Sequence, residues 1–363
     1  MGNKKVILNT GEQLVVKVLE PPLTEYAKVS PDGRLVNWVW SEIRDELLAG
    51  DMNEWLYTPY AIGLIGGKIV GSASYYSSRK NPDLGLIEFV ETLEEHRGKG
   101  VASALISALV NDFNGRDGLA LYLCTTNPIA ARVYEKHGFW YSTGDGLRYL
   151  SPRAADFDDT YFSYQSEAYV REATWTDLPG ISALYNSGCP SWLLKDYLSS
   201  TFRDMRYESH FVKLLRRVED SRGGFLVLEN RVGRIVGAAV FERLNTFQEQ
   251  HVGTASFLVT PAYVHQTKML LDAVSNKAIE LSIGILQIYV GEQDADQIAL
   301  IRKSGYVEEA RLDGRLKDDD SFIDMLIYSR KLVGNPSPVW DVGNYYGGRT
   351  SWIRDRLDSI QDS

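Results

Sequence analysis

Cysteine is almost missing from this chain. Two residues of 363, Cys124 and Cys189, give no disulfide framework, and Cys124 stands in the apolar run Leu119–Thr125, where it reads as a packed thiol rather than a nucleophile. Histidine is scarce too, with five residues, and no Cys or His pair stands at ligand spacing, so no metal is expected. No apolar run reaches the length of about 18 residues that would suggest a membrane-spanning helix. Positive charge is in deficit: 39 Lys and Arg against 48 Asp and Glu leave a net charge of −9. With no basic stripe interleaved with aromatics, nucleic acid is excluded as the expected partner. The opening Met-Gly-Asn-Lys-Lys-Val-Ile-Leu has two lysines but no apolar core of a secretion signal, and Met1-Gly2-Asn3 followed by Val6 lacks the Ser or Thr of a myristoylation site. The expected location is the cytoplasm.

What the chain does have is an internal echo. Gly67-Lys-Ile-Val-Gly71-Ser-Ala-Ser-Tyr75 reappears as Gly233-Arg-Ile-Val-Gly237-Ala-Ala-Val-Phe241, and Gly138-Phe139 reappears as Gly305-Tyr306. Near-constant spacing between copies of separate elements marks a duplicated domain, in keeping with a length that suggests two or more domains. The segment 35–48 is helical by period, and strands are expected near 60–65 and 68–76. Ser151-Pro-Arg-Ala-Ala-Asp-Phe-Asp-Asp-Thr160 is polar and breaks both periods, which reads as a linker.

Two further stretches carry chemistry. Arg97-Gly98-Lys99-Gly100-Val101-Ala102 follows the apolar segment Leu86–Leu93, which reads as a strand, and opens a helix running to about Phe113. Glycines there let successive backbone N–H groups close around an anion, and the helix start adds its positive end, so a diphosphate is the natural guest. Later comes Asn127-Pro-Ile-Ala-Ala-Arg-Val-Tyr134-Glu-Lys-His-Gly138-Phe139, a helix that starts at a strand end and closes on Gly-Phe. Arg97, Lys99, Arg132 and Lys136 supply local positive charge around both stretches of an acidic protein.

This constellation resembles the GNAT superfamily of acyl-CoA-dependent N-acyltransferases, whose pyrophosphate loop reads Gln/Arg-x-x-Gly-x-Gly/Ala. Arg97, Gly100 and Ala102 fill its fixed positions, and the Asn127–Phe139 stretch is similar to the family's later motif. The resemblance implies an α+β fold of two tandem GNAT modules, each a mixed, mostly antiparallel sheet flanked by helices. Residues 1–152 would be the catalytic module binding acetyl-CoA, 153–168 the linker, 169–333 a degenerate module, and 334–363 an aromatic C-terminal tail. Degeneracy follows from the second copy, where Val264-His-Gln-Thr-Lys-Met269 lies over the loop with Thr267 at the Gly100 position. Asp294 falls at the Asn127 position and Ile301 at the Tyr134 position, adding a negative charge and removing a hydroxyl.

The same resemblance assigns roles in transfer of an acetyl group from acetyl-CoA, a cosubstrate, to an amine. Tyr134 matches the usual general acid for the leaving thiolate. Glu88 or Glu91 is the candidate base; strand alternation puts them on opposite faces unless a bulge intervenes, and Glu88 shares parity with the position the family's carboxylate commonly takes. Oxyanion donors would be backbone N–H groups near Glu91 and Thr92, and Tyr122 is a further candidate to face the site. The cofactor-binding set is Thr92, Arg97, Gly98, Lys99, Gly100, Val101, Ala102, Asn127 and Arg132. The acceptor pocket would draw on Trp38, Trp40, Trp55, Tyr75 and Tyr76, suiting a small-molecule primary amine such as an amino natural product or antibiotic. A protein or peptide N-acetyltransferase and a non-catalytic acyl-CoA-binding sensor are the competing readings. The oligomeric state is not specified by these motifs.

Overall fold

A computed structural model of the chain describes residues 4–23, 46–143, 146–187, 190–195, 211, 214–215, 218–318 and 320–332. Trp38, Trp40, most of the helix expected over 35–48, Cys189 and the 334–363 tail lie outside the described residues.

The described strands form two separate sheets. The first contains β1 (Lys4–Ile7), β2 (Gln13–Leu19), β3 (Leu56–Tyr57), β4 (Tyr60–Ile65), β5 (Lys68–Ser78), β6 (Leu84–Thr92), β7 (Ala120–Cys124), β8 (Trp140–Thr143) and β9 (Gly146–Leu150). Its order is β1-β2-β4-β5-β6-β7-β9-β8, with β3 paired to β5. The second contains β10 (Ala168–Glu172), β11 (Gly223–Asn230), β12 (Ile235–Arg243), β13 (Val252–Val259), β14 (Ile285–Gly291), β15 (Val307–Asp318) and β16 (Ser321–Lys331), in the order β10-β11-β12-β13-β14-β16-β15. From β2 onward the first sheet repeats the order of the second, strand for strand. In each, a single neighbouring pair is parallel, β6 with β7 and β13 with β14. That is the mixed, mostly antiparallel α+β arrangement expected from the sequence, and the Gly67 and Gly233 echoes open the equivalent strands β5 and β12.

The parallel pair in each sheet is joined by a long helix, as parallel neighbours require. Helix α1 (Val101–Gly115) buries Val101, Leu105, Ile106, Leu109, Val110 and Phe113 on one side of the first sheet. Each such side chain contributes on the order of 2 kcal/mol by leaving water. Gly71 of β5 lets the helix start come close, because a Cβ there would fall 2.8 Å from the Glu91 carbonyl oxygen and 3.0 Å from Val101 Cγ1. Helix α2 (Pro128–Glu135) follows β7, and Asn127 caps it by accepting from Ile129 N and Ala130 N. A short helix α3 (Phe157–Thr160) lies within the segment expected to be a polar linker. Phe157 and Tyr161 are buried there and stack at 4.7 Å, so the segment is packed rather than extended through solvent.

The other side of the first sheet is covered by the second module. Helix α4 (Leu178–Tyr185) is buried along its whole length and packs with Tyr76, Leu84, Leu86 and Tyr122 in a core continuous with β11, β12 and β13. A helix apolar all round belongs between two layers, which is where this one sits. At the edge of this contact Glu229, 1% exposed, is bonded to Lys80 of the first module and to Arg171, which also grips Asp177 through two bonds. Ser78 Oγ meets Thr176 Oγ1 at 2.7 Å, and Asn81 Nδ2 donates to the Gly233 carbonyl at 3.0 Å.

Burial alone would raise the Glu229 carboxyl, but its bonds with Lys80 and Arg171 outweigh that and hold it below the ordinary carboxylate value. A depressed pKa means stability present above the unfolded value and lost as the pH falls through the folded one. Glu229→Gln should therefore cost about 3 kcal/mol in urea unfolding near pH 7, in the range for breaking a buried pair. The difference from wild type should vanish below the folded-state pKa, and a pH-independent difference would show that packing, not charge, is being measured.

Candidate active site

Strands β6 and β7 part company early. Their ladder runs from Leu84/Ala120 to Leu86/Tyr122 and stops, while β6 stays paired with β5 as far as Thr92 and β7 stays paired with β9 as far as Cys124. Ile87–Thr92 therefore has no β7 partner, and α1 and α2 close the gap from one side. A groove of about 790 Å³ lies there, bounded by the end of β6, the loop 96–100, the first turns of α1, helix α2 and residues 4–9.

The loop carries the anion chemistry. Gly98 and Gly100 take φ of 74° and 101°, a region that L side chains rarely adopt. Gly100 is the N-cap of α1 and supplies no side-chain cap, so the N–H groups of Val101, Ala102 and Ser103, which no helix satisfies internally, are directed at the groove mouth. The charged lining is one-signed: Lys4, Arg97, Lys99, Arg132 and Lys136 contribute cations and, among the described residues, no carboxylate lines the groove. A chain of net charge −9 has thus concentrated positive potential at one place.

All nine residues of the expected cofactor-binding set, Thr92, Arg97, Gly98, Lys99, Gly100, Val101, Ala102, Asn127 and Arg132, line this groove together. Arg97 Nε also donates to the Thr92 carbonyl at 3.2 Å, which ties the loop to the strand end. Asn127 Oδ1 is used in capping α2. His96 and His137 line the groove as well, and the sequence reading missed both because a lone histidine in a polar loop carries no spacing signal.

Tyr134, on α2, lines the groove with its ring buried against Phe139 at 5.9 Å. Burial raises its pKa, and the negative charge of Glu88 raises it further, so the hydroxyl keeps its proton at neutral pH. Glu88 is thus within electrostatic reach of Tyr134 across the parted strands. The register resolves the question of the two glutamates. Ser74 pairs with Glu88 and Ser72 with Glu91, so β6 carries one extra residue between them, with Phe89 at φ 54°. This bulge places Glu88 and Glu91 on the same face of the sheet, away from α1, and corrects the plain alternation that would separate them. Phe89 stacks on Tyr60 on that face, with ring centroids 6.5 Å apart.

Three members of the acceptor set, and Tyr122 with them, behave otherwise than expected. Tyr75 points to the α1 side, where it is fully buried and donates to Asp112 Oδ2 at 2.8 Å, so it belongs to the core and not to an acceptor pocket. Tyr122 is buried in the core shared with the second module. Tyr76 and Trp55 also pack into that shared core.

The second module lacks each of these devices. β12 and β13 pair from Gly237/Val259 to Arg243/Gly253 without a bulge, and two residues beyond the last β13–β14 pair stands Phe257 where the first module has Glu88. Helix α5 (Thr267–Glu280) is entered through a 3-10 turn, Pro261–Gln266, with no residue at positive φ, and Thr267 is buried. The chain itself covers the mouth: Trp192 packs on Phe257 at 5.3 Å, and Leu193 N donates to Asp294 Oδ2 at 2.9 Å. Asp294 stands at the N-cap position of helix α6 (Ala295–Lys303) without a side-chain cap bond, and the helix presents buried Ile301 at the Tyr134 position.

A bulged, parted sheet with a cationic glycine loop at a helix start makes a groove suited to an anionic, phosphorylated guest. Residues 26–139 match the family model described as the acetyltransferase (GNAT) family. The first module thus carries a GNAT acetyltransferase domain. No curated protein matches the chain. Among solved structures it is similar to a ribosomal-protein-alanine N-acetyltransferase from Brucella melitensis, at 24% identity over 45% of this chain and 99% of that one, with a TM-score of 0.39. It is similar to a phosphinothricin acetyltransferase from Sinorhizobium meliloti solved with AcCoA, at 16% identity over 50% and 99%, TM-score 0.42. An N-acetyltransferase from Staphylococcus aureus Mu50 matches at 18% identity over 46% and 99%, TM-score 0.40.

His137 offers a direct check of the groove. Its Nε2 lies 2.8 Å from Ser103 Oγ, and burial, with Lys136 adding to it, pushes its pKa below the ordinary imidazole value of 6.5 despite the Ser103 contact. A folded pKa below the unfolded one makes the folded state less stable as the ring is forced to charge in acid. An NMR titration should place the His137 midpoint under 6.5; a midpoint above it would mean that the groove wall is more open or more acidic than described.

Proposed function

We propose that the first module transfers the acetyl group of acetyl-CoA to the primary amine of a small molecule by direct attack, without a metal. The observation that carries this reading is the joining of a one-signed cationic groove at the α1 start with Tyr134 and Glu88 facing the parted strands. Val101, Ala102 and Ser103 N–H groups would hold the diphosphate, with Arg97, Lys99 and Arg132 as charge partners, and bound acetyl-CoA supplies the activated acyl group. Glu88, or Glu91 through the bulge, takes the proton from the incoming amine. Tyr134, kept protonated by burial and by Glu88, gives its proton to the departing thiolate. Backbone N–H groups along the unpaired edge near Glu91 and Thr92 receive the oxyanion.

A small acceptor is favoured over a protein because the second module closes the glutamate face of the sheet from Leu86 and Tyr122 outward. Retention of Tyr134 beside the glycine loop favours catalysis over a sensor. The chain works in the cytoplasm on this reading, where acetyl-CoA is made available. Incubation of a panel of amines with acetyl-CoA, read by mass spectrometry, tests the acceptor class; transfer to peptide N-termini alone would overturn it.

Tyr134→Phe should lower kcat by about 10²-fold while leaving acetyl-CoA affinity nearly unchanged, since the hydroxyl is needed only as the thiolate leaves. Unchanged turnover would assign Tyr134 to packing. Calorimetry should find one CoA bound per chain. Gly100→Val should abolish binding by forcing a β-branched residue to φ 101°, and Thr267→Val should not. Two comparable sites, or binding that survives Gly100→Val, would contradict a scaffold role for the second module.

A further inference from the structure

Besides the short β3, the first sheet has one strand, β1, that has no counterpart in the second among the described residues. β1 adds to the outer edge of β2, whereas β10, the strand equivalent to β2, is itself the edge of its sheet among the described residues. The β1–β2 hairpin turns over Leu8–Glu12, where Leu8 N donates to Glu12 O at 2.9 Å and Gly11 N to Leu8 O at 2.9 Å. This turn is docked on the glycine loop from two directions. Asn9 N donates to the Lys99 carbonyl at 3.2 Å, and Glu12 Oε2 holds Lys99 Nζ at 3.2 Å. Thr10 Oγ1 in turn donates to Glu12 Oε2 at 2.8 Å, fixing that carboxylate.

The consequence is the placement of one amide. The Asn9 side chain lies within 3.8–3.9 Å of the point where a Gly100 Cβ would stand, and it is the nearest group to that point. Its backbone is held by Lys99, and the exposed side chain lines the groove, with Nδ2 making no bond among the described residues. We propose that the N-terminal hairpin is part of the cofactor site and that Asn9 is a positioning residue, its amide donating to the diphosphate from the side opposite the α1 N–H groups. The inference rests on the acetyl-CoA reading and adds a residue outside the glycine loop to it. That the hairpin accompanies only the module with the glycine loop is the second, independent support: where the groove is filled by the chain's own Trp192 and Leu193, no such strand is present among the described residues.

Calorimetric titration of the full chain with CoA and with 3′-dephospho-CoA tests this. Asn9→Ala should weaken CoA binding roughly 10-fold, the scale of one hydrogen bond to a charged group. Asn9→Asp, which keeps the size of the side chain, should weaken it further by placing a carboxylate against the diphosphate, and the gap between the two variants should shrink as salt is added. Both losses should be the same for 3′-dephospho-CoA, which retains the diphosphate. Thermal midpoints of the unliganded proteins should agree within about 3 °C, because the docking contact of Asn9 is made by its backbone. Wild-type affinity in both variants would overturn the role of Asn9 while leaving the acetyltransferase reading intact, as would losses confined to CoA, which would put the residue at the 3′-phosphate. Absence of CoA binding to the wild-type chain would instead overturn the acetyltransferase reading itself.

Discussion

Everything at the site follows from the parting of β6 and β7 beyond Leu86 and Tyr122. A sheet that stays paired has its backbone donors spent and its two faces sealed from one another; one that opens leaves a strand edge and a passage between the faces. The opening here is held by position-specific packing. Gly71 lets the start of α1 press against β5, so the helix end sits at the mouth of the gap. α2 then hangs from β7 by its Asn127 cap and brings Tyr134 to the gap's wall. The bulge at Phe89 turns both glutamates toward the far face, where Tyr60 holds Phe89 by stacking. The glycine loop, Tyr134 and the two glutamates therefore come from different elements that share one geometric cause.

The second module isolates that cause by comparison. Its β13 and β14 also pair over only four residues each before separating, so a gap exists in the backbone plan. What differs is the content: Phe257 in place of Glu88, a straight β12–β13 register, a side chain at Thr267, and Trp192 and Leu193 folded over the opening. An open gap lined by buried apolar residues costs free energy, and a segment of the chain that fills it recovers contact. Asp294, whose pKa burial raises against the opposing bonds from the backbone of Leu193, Leu194 and Gly291, fixes that segment in place. Filling and loss of the anion cradle are one change seen from two sides.

Much of this was legible in the sequence, and the reasons are local. Gly98 and Gly100 announce left-handed backbone, the Asn-Pro pair announces a helix start, and the Gly67 and Gly233 echoes sit at matching strands, so loop, helix and duplication are each written in a few adjacent residues. The shared face of Glu88 and Glu91 was not legible. A bulge is a relation between two strands, and nothing in Glu88-Phe-Val-Glu91 alone says that Ser72 and Ser74 will face them. The side of Tyr75 was lost for the same reason, since its orientation is decided by Asp112 on α1. His96, His137 and the β1 hairpin joined the groove only through tertiary contact.

Helix α4 ties the second module to the first. It is buried nearly all round, with Ser182 its one buried polar side chain besides the Tyr185 hydroxyl, and it lies between β12 and the β5–β6 face of the first sheet, in a core that includes Tyr76, Leu84, Leu86 and Tyr122. Separating the modules would expose that face, several large apolar side chains at once, in a contiguous patch of the size that drives association. The polar rim of Glu229, Lys80, Arg171 and Asp177 then fixes how the two sheets meet, because a buried carboxylate tolerates only the orientation that keeps its cations. The glutamate face of the first sheet is thereby backed by a rigid wall. The contact rests on the second module's apolar surface and its ionic rim, and neither of those requires a glycine at position 267.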